Sequence, residues 1–202
     1  MLERYKEDFV KLLNPLTHLF VKTGWHPDLL TTLGLLGNTV AALLFAMGRF
    51  PFAGLCVLLA GIFDLLDGEV ARIGHRGSKF GALLDSTLDR YSEIFLAFGI
   101  TVYFVRSGWV ITSAILFFAL AGSLMVSYVR ARAEGLGEKC EVGLMQRTER
   151  ILAIAAGGMI GPRALAVVMW IIAFLTNFTV AERLWHVWKK TRRLELEQGS
   201  DG

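Results

Sequence analysis

Three stretches of this chain, residues 28–48, 109–129 and 164–181, carry a single charged residue among them, Asp28 at an edge. Apolar runs of about 20 residues are long enough to cross the hydrocarbon of a bilayer as helices. The composition fits: 54% of the 202 residues are hydrophobic and 19% charged. The mean hydropathy is +0.51. A disordered chain, a collagen-like chain and a coiled-coil rod are all excluded. The expected fold is an all-α integral membrane protein, with six transmembrane helices preceded by an N-terminal amphipathic interfacial helix.

The spans are expected near residues 28–48, 52–73, 81–105, 109–132, 148–160 and 164–187. Tight connections at 49–51 and 161–163 predict antiparallel hairpins. Ahead of them, Leu2, Tyr5, Phe9, Leu12, Leu13, Leu16 and Phe20 recur at helical spacing, which suits a helix lying in the membrane interface. One domain is expected over 1–202, made of an interfacial helix (1–24), a six-helix bundle (25–187) and a polar tail (188–202). Charges at Glu3, Arg4, Lys6, Glu7 and Asp8 leave no room for the apolar core of a signal peptide. Cys56 and Cys140 are too few for a disulfide framework.

The net charge of +3 says less than its placement. Arg72, Arg76 and Lys79 lie in one loop, and Arg130, Arg132, Lys139, Arg147 and Arg150 in another. Further cations flank both termini. The opposite loops hold only Arg49, Arg106 and Arg163. The positive-inside rule therefore predicts cytoplasmic termini and cytoplasmic 72–80 and 130–150 loops, in a multi-pass protein of the cell membrane. No nucleic-acid partner is expected.

Six carboxylates interrupt the second and third spans: Asp64, Asp67, Glu69, Asp85, Asp89 and Glu93. Ionisable groups at membrane depth are costly and usually functional. Asp64 and Asp67 are i, i+3, and Asp85 and Asp89 are i, i+4, so each pair shares a helix face. Both pairs fall near the cytoplasmic ends of antiparallel neighbours. Four carboxylates aimed at one volume need compensating charge, which hard divalent cations supply to oxygen-only ligands. Two-metal sites commonly act on phosphates. A proton or sodium pathway is the competing use, although its acids would be spread through the bilayer. Gly68 and Gly81 beside the acids leave room for a bulky ligand.

The run Asp64-Leu-Leu-Asp67-Gly68-Glu-Val-Ala71-Arg72, then eight residues to Gly81, three to Asp85 and three to Asp89, resembles the CDP-alcohol phosphotransferase signature at all eight fixed positions. The resemblance implies an enzyme that moves a phosphatidyl-type group from a CDP-lipid donor to an acceptor hydroxyl and releases CMP. It implies two divalent cations (Mg²⁺ or Mn²⁺) on Asp64, Asp67, Asp85 and Asp89, with Asp89 as the general base. Asp28, Thr31, Asp64, Gly68, Ala71, Arg72 and Gly81 would bind the CDP-alcohol. A homodimer among membrane lipids is also implied.

The second half carries Tyr128-Val-Arg130-Ala-Arg132-Ala-Glu134 and Gln146-Arg147-Thr-Glu149-Arg150. Arginine forks suit phosphate oxygens, so a phosphorylated polyol acceptor is favoured over a neutral one. This half resembles the phosphatidylinositol-phosphate synthases of prokaryotes. That makes inositol 1-phosphate the expected acceptor, with Arg130, Arg132, Arg147 and Arg150 at its phosphate. Glycerol 3-phosphate is the alternative acceptor, and an ion or solute transporter the remote alternative. The donor lipid is left open between diacylglycerol and an archaeal diether.

Overall fold

The computed structural model describes residues 13–199. These residues form seven helices and no strand: α1 (13–22), α2 (Pro27–Ala46), α3 (Phe50–Ile73), α4 (Lys79–Arg106), α5 (Val110–Gly135), α6 (Arg147–Ile160) and α7 (Pro162–Gly199). The predicted interfacial stretch 2–22 lies partly outside the described residues.

The helix ends follow from local chemistry. Proline opens α2 and sits in the first turn of α3, where its missing N–H costs nothing. Ser78 caps α4, its hydroxyl accepting from the Gly81 N–H at 2.8 Å. Gln146 and Glu149 form a reciprocal capping box at α6. Both hairpin turns close in the same way. After α2, Gly48 (φ +76°) donates to the Phe45 carbonyl and Arg49 to that of Leu44. After α4, Gly108 (φ +77°) and Trp109 repeat the arrangement on Val105 and Phe104. This is the Schellman ending, whose left-handed residue is normally glycine. The end of α3 is the exception: His75 takes the left-handed position at φ 51°.

Helix α2 packs on α3 and α4, α3 on α6, and α7 on α5 and α6. Phe45, Phe50, Val57, Leu96, Ile100 and Phe104 lie in the central core. A smaller cluster of Leu30, Leu66 and Val70 supports the α2–α3 end that carries the acids. Small residues set the closest approaches. A Cβ on Gly99 of α4 would collide with the Ala42 carbonyl of α2. One on Gly54 of α3 would lie 2.6 Å from the Ala155 carbonyl of α6. Helices in membranes gain their contact this way, because apolar surface by itself does not favour protein over lipid. Large apolar side chains such as Phe98, Ile111, Phe117 and Phe174 face outward.

Among the described residues, four helices are long and apolar enough to cross a membrane: α2, α3, α5 and the Pro162–Arg192 part of α7. This is fewer than the six predicted, for two physical reasons. Helix α4 carries Asp85, Asp89, Arg90 and Glu93 between its second turn and its middle. Helix α6 has 14 residues, which at 1.5 Å rise is about 21 Å against a core of about 30 Å. Helix α7 continues into the expected polar tail as far as Gly199. The second half of α7 braces the α5–α6 connection. Arg183 donates from Nε to the Val142 carbonyl at 2.8 Å, and Lys190 pairs with Glu138 at 2.6 Å.

Candidate active site

The last turns of α3 and the first turns of α4 bring the two carboxylate pairs together, and α6 lays an arginine across them. Arg147 Nη2 lies 2.6 Å from Asp64 Oδ2 and 2.6 Å from Asp89 Oδ1. Arg90 Nη1 reaches the other oxygen of Asp89 at 3.5 Å. Asp67 and Asp89 are buried. Oδ2 of Asp67 has no hydrogen-bond partner among the described residues. Gly34 of α2 makes room for this arrangement, since a Cβ there would lie 2.5 Å from Asp64 Oδ1.

The donor chemistry fits hard divalent cations: the predicted ligands are oxygen-only, and one buried carboxylate oxygen lacks a partner. Among the described residues, however, no three metal-ligating side chains are gathered tightly enough to cage an ion as they stand. The Arg147 guanidinium lies between Asp64 and Asp89 and supplies the countercharge that like charges so close together require.

Two clefts flank the acids. One, of about 210 Å³, lies between the start of α2, the end of α3 and the start of α4. Asp28, Thr31, Gly68, Ala71 and Gly81, all predicted for the CDP-alcohol, line it together with Asp67 and Asp85. The space beside Gly68 is open, with nothing within 4 Å of a built Cβ. The second cleft, of about 460 Å³, runs between α3 and α6. Its walls are apolar (Leu58, Ile62, Leu65, Ile151), and Asp64 and Arg147 form its polar end.

Three predicted residues depart from expectation. Asp64, assigned to both metal and nucleotide, lines the apolar cleft rather than the smaller one. Arg72 lines neither: its side chain is 77% exposed and pairs with Glu69 one turn back at 3.1 Å. Arg150 is 1% exposed, donating to Glu93 Oε1 at 2.5 Å and to the Met145 carbonyl at 3.1 Å. It therefore presents no open face to an acceptor. Arg147 and Arg150 do share a face of α6, but that face meets carboxylates. Arg130 and Arg132 remain exposed at the end of α5, where Arg130 pairs with Glu134 at 2.9 Å.

Two participants escaped sequence reasoning. Glu93 was visible as a membrane-depth acid, but nothing in the sequence paired it with Arg150. Arg76, in the α3–α4 loop, lines the smaller cleft. Its one signal was a cation flanked by glycines, Gly74-His75-Arg76-Gly77.

Apolar helices, a group of carboxylates drawn from two of them and two clefts beside that group mark an enzyme-like site at one end of a membrane protein. The model of the CDP-alcohol phosphatidyltransferase family matches residues 25–179, and the chain belongs to that family. It is a CDP-alcohol phosphotransferase, and the transporter alternative is set aside. The phosphatidylinositol phosphate synthase of Mycobacteroides abscessus is 36% identical, covering 97% of this chain and 92% of that protein. The archaetidylinositol phosphate synthase of Methanothermobacter thermautotrophicus is 34% identical over 95% of this chain and 96% of its own length. The crystal structure of the Mycobacterium tuberculosis phosphatidylinositol phosphate synthase with CDP-DAG bound superposes with a TM-score of 0.80 at 31% identity. It covers 88% of this chain and 94% of that one. A second structure of that enzyme, in complex with manganese and citrate, has a TM-score of 0.78 at 32% identity, over 86% of this chain and 88% of that one.

Proposed function

We propose that the protein transfers a phosphatidyl-type group from a CDP-alcohol to the hydroxyl of inositol 1-phosphate, releasing CMP. The observation that carries this reading is the smaller cleft, which gathers five of the predicted donor residues beside Asp67 and Asp85. The relatives' names support the acceptor. The apolar cleft ending at Asp64 and Arg147 suits the lipid chains of the donor, diacyl or archaeal diether.

Asp64, Asp67, Asp85 and Asp89 are the residues that would hold two divalent cations, Mg²⁺ or Mn²⁺. When bound, the cations supply positive charge against the donor's diphosphate. Asp89 takes the proton from the acceptor hydroxyl. The hydroxyl oxygen bonds to the β-phosphorus as the bond to the bridging oxygen breaks, and CMP leaves with that oxygen. Arg147, together with Arg130 and Arg132, binds the acceptor's own phosphate. Arg150 holds α6 in place through Glu93.

In this reading the chain is one membrane domain and all of α2–α7 cross the bilayer. Helix α4 buries its acids against neighbours, and α6 is a short span. An interfacial helix precedes them, and both termini and the site face the cytoplasm of a cell-membrane homodimer. The loop distribution of lysine and arginine supports the orientation.

The test is CMP release by purified protein from a CDP-lipid with Mg²⁺ or Mn²⁺, across inositol 1-phosphate, inositol, glycerol 3-phosphate and serine. Turnover with inositol 1-phosphate alone is expected. Equal turnover with free inositol would overturn the phosphorylated acceptor, and turnover with glycerol 3-phosphate alone would replace inositol 1-phosphate by it.

A further inference from the structure

The smaller cleft contains an apparent imbalance. Three carboxylates line it, Asp28, Asp67 and Asp85, and the ligand proposed for it carries a diphosphate. Among the described residues that line it, the one cation is Arg76, because Arg72 turns outward to Glu69.

The backbone delivers Arg76 there. With His75 at φ 51°, the His75 N–H donates to the Arg72 carbonyl at 3.4 Å and the Arg76 N–H to that of Ala71 at 3.0 Å. This Schellman ending folds the chain back over the final turn of α3. The Arg76 side chain then crosses to the α1–α2 turn, where Nη1 donates to the carbonyls of Gly24 at 2.9 Å and Trp25 at 3.1 Å. Guanidinium has five N–H donors in a rigid plane. Two carbonyls on one nitrogen leave Nη2 and Nε without a partner among the described residues, the geometry that takes two phosphate oxygens side by side. The two tethers also hold the side chain in place beforehand, so little rotamer entropy is lost on binding.

We propose that Arg76 is a donor-binding residue that contacts the diphosphate of the nucleotide. The inference rests on reading this cleft as the donor site. It assigns the phosphate contact to the α3–α4 loop and ties that loop to the α1–α2 turn when the donor is bound.

The test is calorimetric titration of the full-length protein in detergent with Mn²⁺, using CDP and cytidine as probes. Wild type, Arg76→Gln, Arg76→Lys and the control Lys79→Gln are compared. Arg76→Gln is expected to weaken CDP at least tenfold and cytidine less than twofold. Arg76→Lys should fall between Arg76→Gln and wild type, and Lys79→Gln should match wild type. Mn²⁺ affinity, measured separately, should be unchanged throughout. Wild-type CDP affinity in Arg76→Gln would overturn the proposal, as would an equal loss for CDP and cytidine or a parallel loss of Mn²⁺. A wild-type protein that binds no CDP would instead defeat the reading of the cleft.

Discussion

Arg147 of α6 places Nη2 2.6 Å from Oδ1 of Asp89 on α4, so the proposed general base is held by a cation from 58 residues further along the chain. The same nitrogen holds Asp64 of α3, and the site is thereby locked across three helices.

Asp89→Asn should abolish CMP release, with a loss of at least a thousandfold, while Arg147 stays anchored on Asp64. The amide keeps the shape but cannot accept the hydroxyl proton, and general-base catalysis alone is worth roughly 10²–10⁴. Single-turnover assays with pre-bound donor check it. Activity near wild type would remove Asp89 as the base.

Arg147→Ala should raise the KM for the phosphorylated acceptor by roughly 10- to 100-fold, the worth of one or two charge-assisted hydrogen bonds. The KM for the CDP-lipid should change much less. Steady-state kinetics with each substrate varied in turn separates the two, and a rise confined to the donor would contradict the acceptor role.

Gly34→Ala should leave the fold intact, since alanine favours a helix interior over glycine by about 1 kcal/mol. Its methyl group would nonetheless force the Asp64 carboxylate aside from 2.5 Å. Manganese titration of activity should therefore show a higher metal requirement, with thermal unfolding unchanged or slightly raised. An unaltered metal requirement would show that Asp64 holds no ion.

Glu93→Gln and Arg150→Met should each destabilise the protein, by about 3–5 kcal/mol, because each strands a buried charge. The double variant Glu93→Met with Arg150→Met should cost less than either single change. Thermal unfolding in detergent measures all three. If Arg150 instead binds the acceptor, its variant will lose acceptor affinity without losing stability.

The sites were legible to different depths. The i, i+3 and i, i+4 spacings put Asp64 with Asp67 and Asp85 with Asp89 on shared faces, because helical geometry is local. The tight connections expected at 49–51 and 161–163 were legible too, since a short break between two apolar runs leaves the chain room only to turn back. Arg72 and Arg76 were not distinguishable, being two cations four residues apart beside the same acids. Their roles divide on the path of one loop: Arg72 finds Glu69 on its own helix, whereas the left-handed His75 carries Arg76 back to the cleft.

By itself the sequence determined the helical class, the membrane environment, the family and the acidic pairs. Class and environment follow from run length and the acidic pairs from spacing along one helix, while the family followed from resemblance to a signature that spans α3 and α4. The tertiary structure decided what the arginines meet. Arg147 bridges α3 and α4, and Arg150 disappears against Glu93, although both stand on the same face of α6 three residues apart. That difference arises from how α6 lies against α3 and α4, set by contacts such as Gly54 on Ala155. A charge buried in a low-dielectric interior takes whichever opposite charge the packing brings within reach, and residue spacing carries no information about that partner.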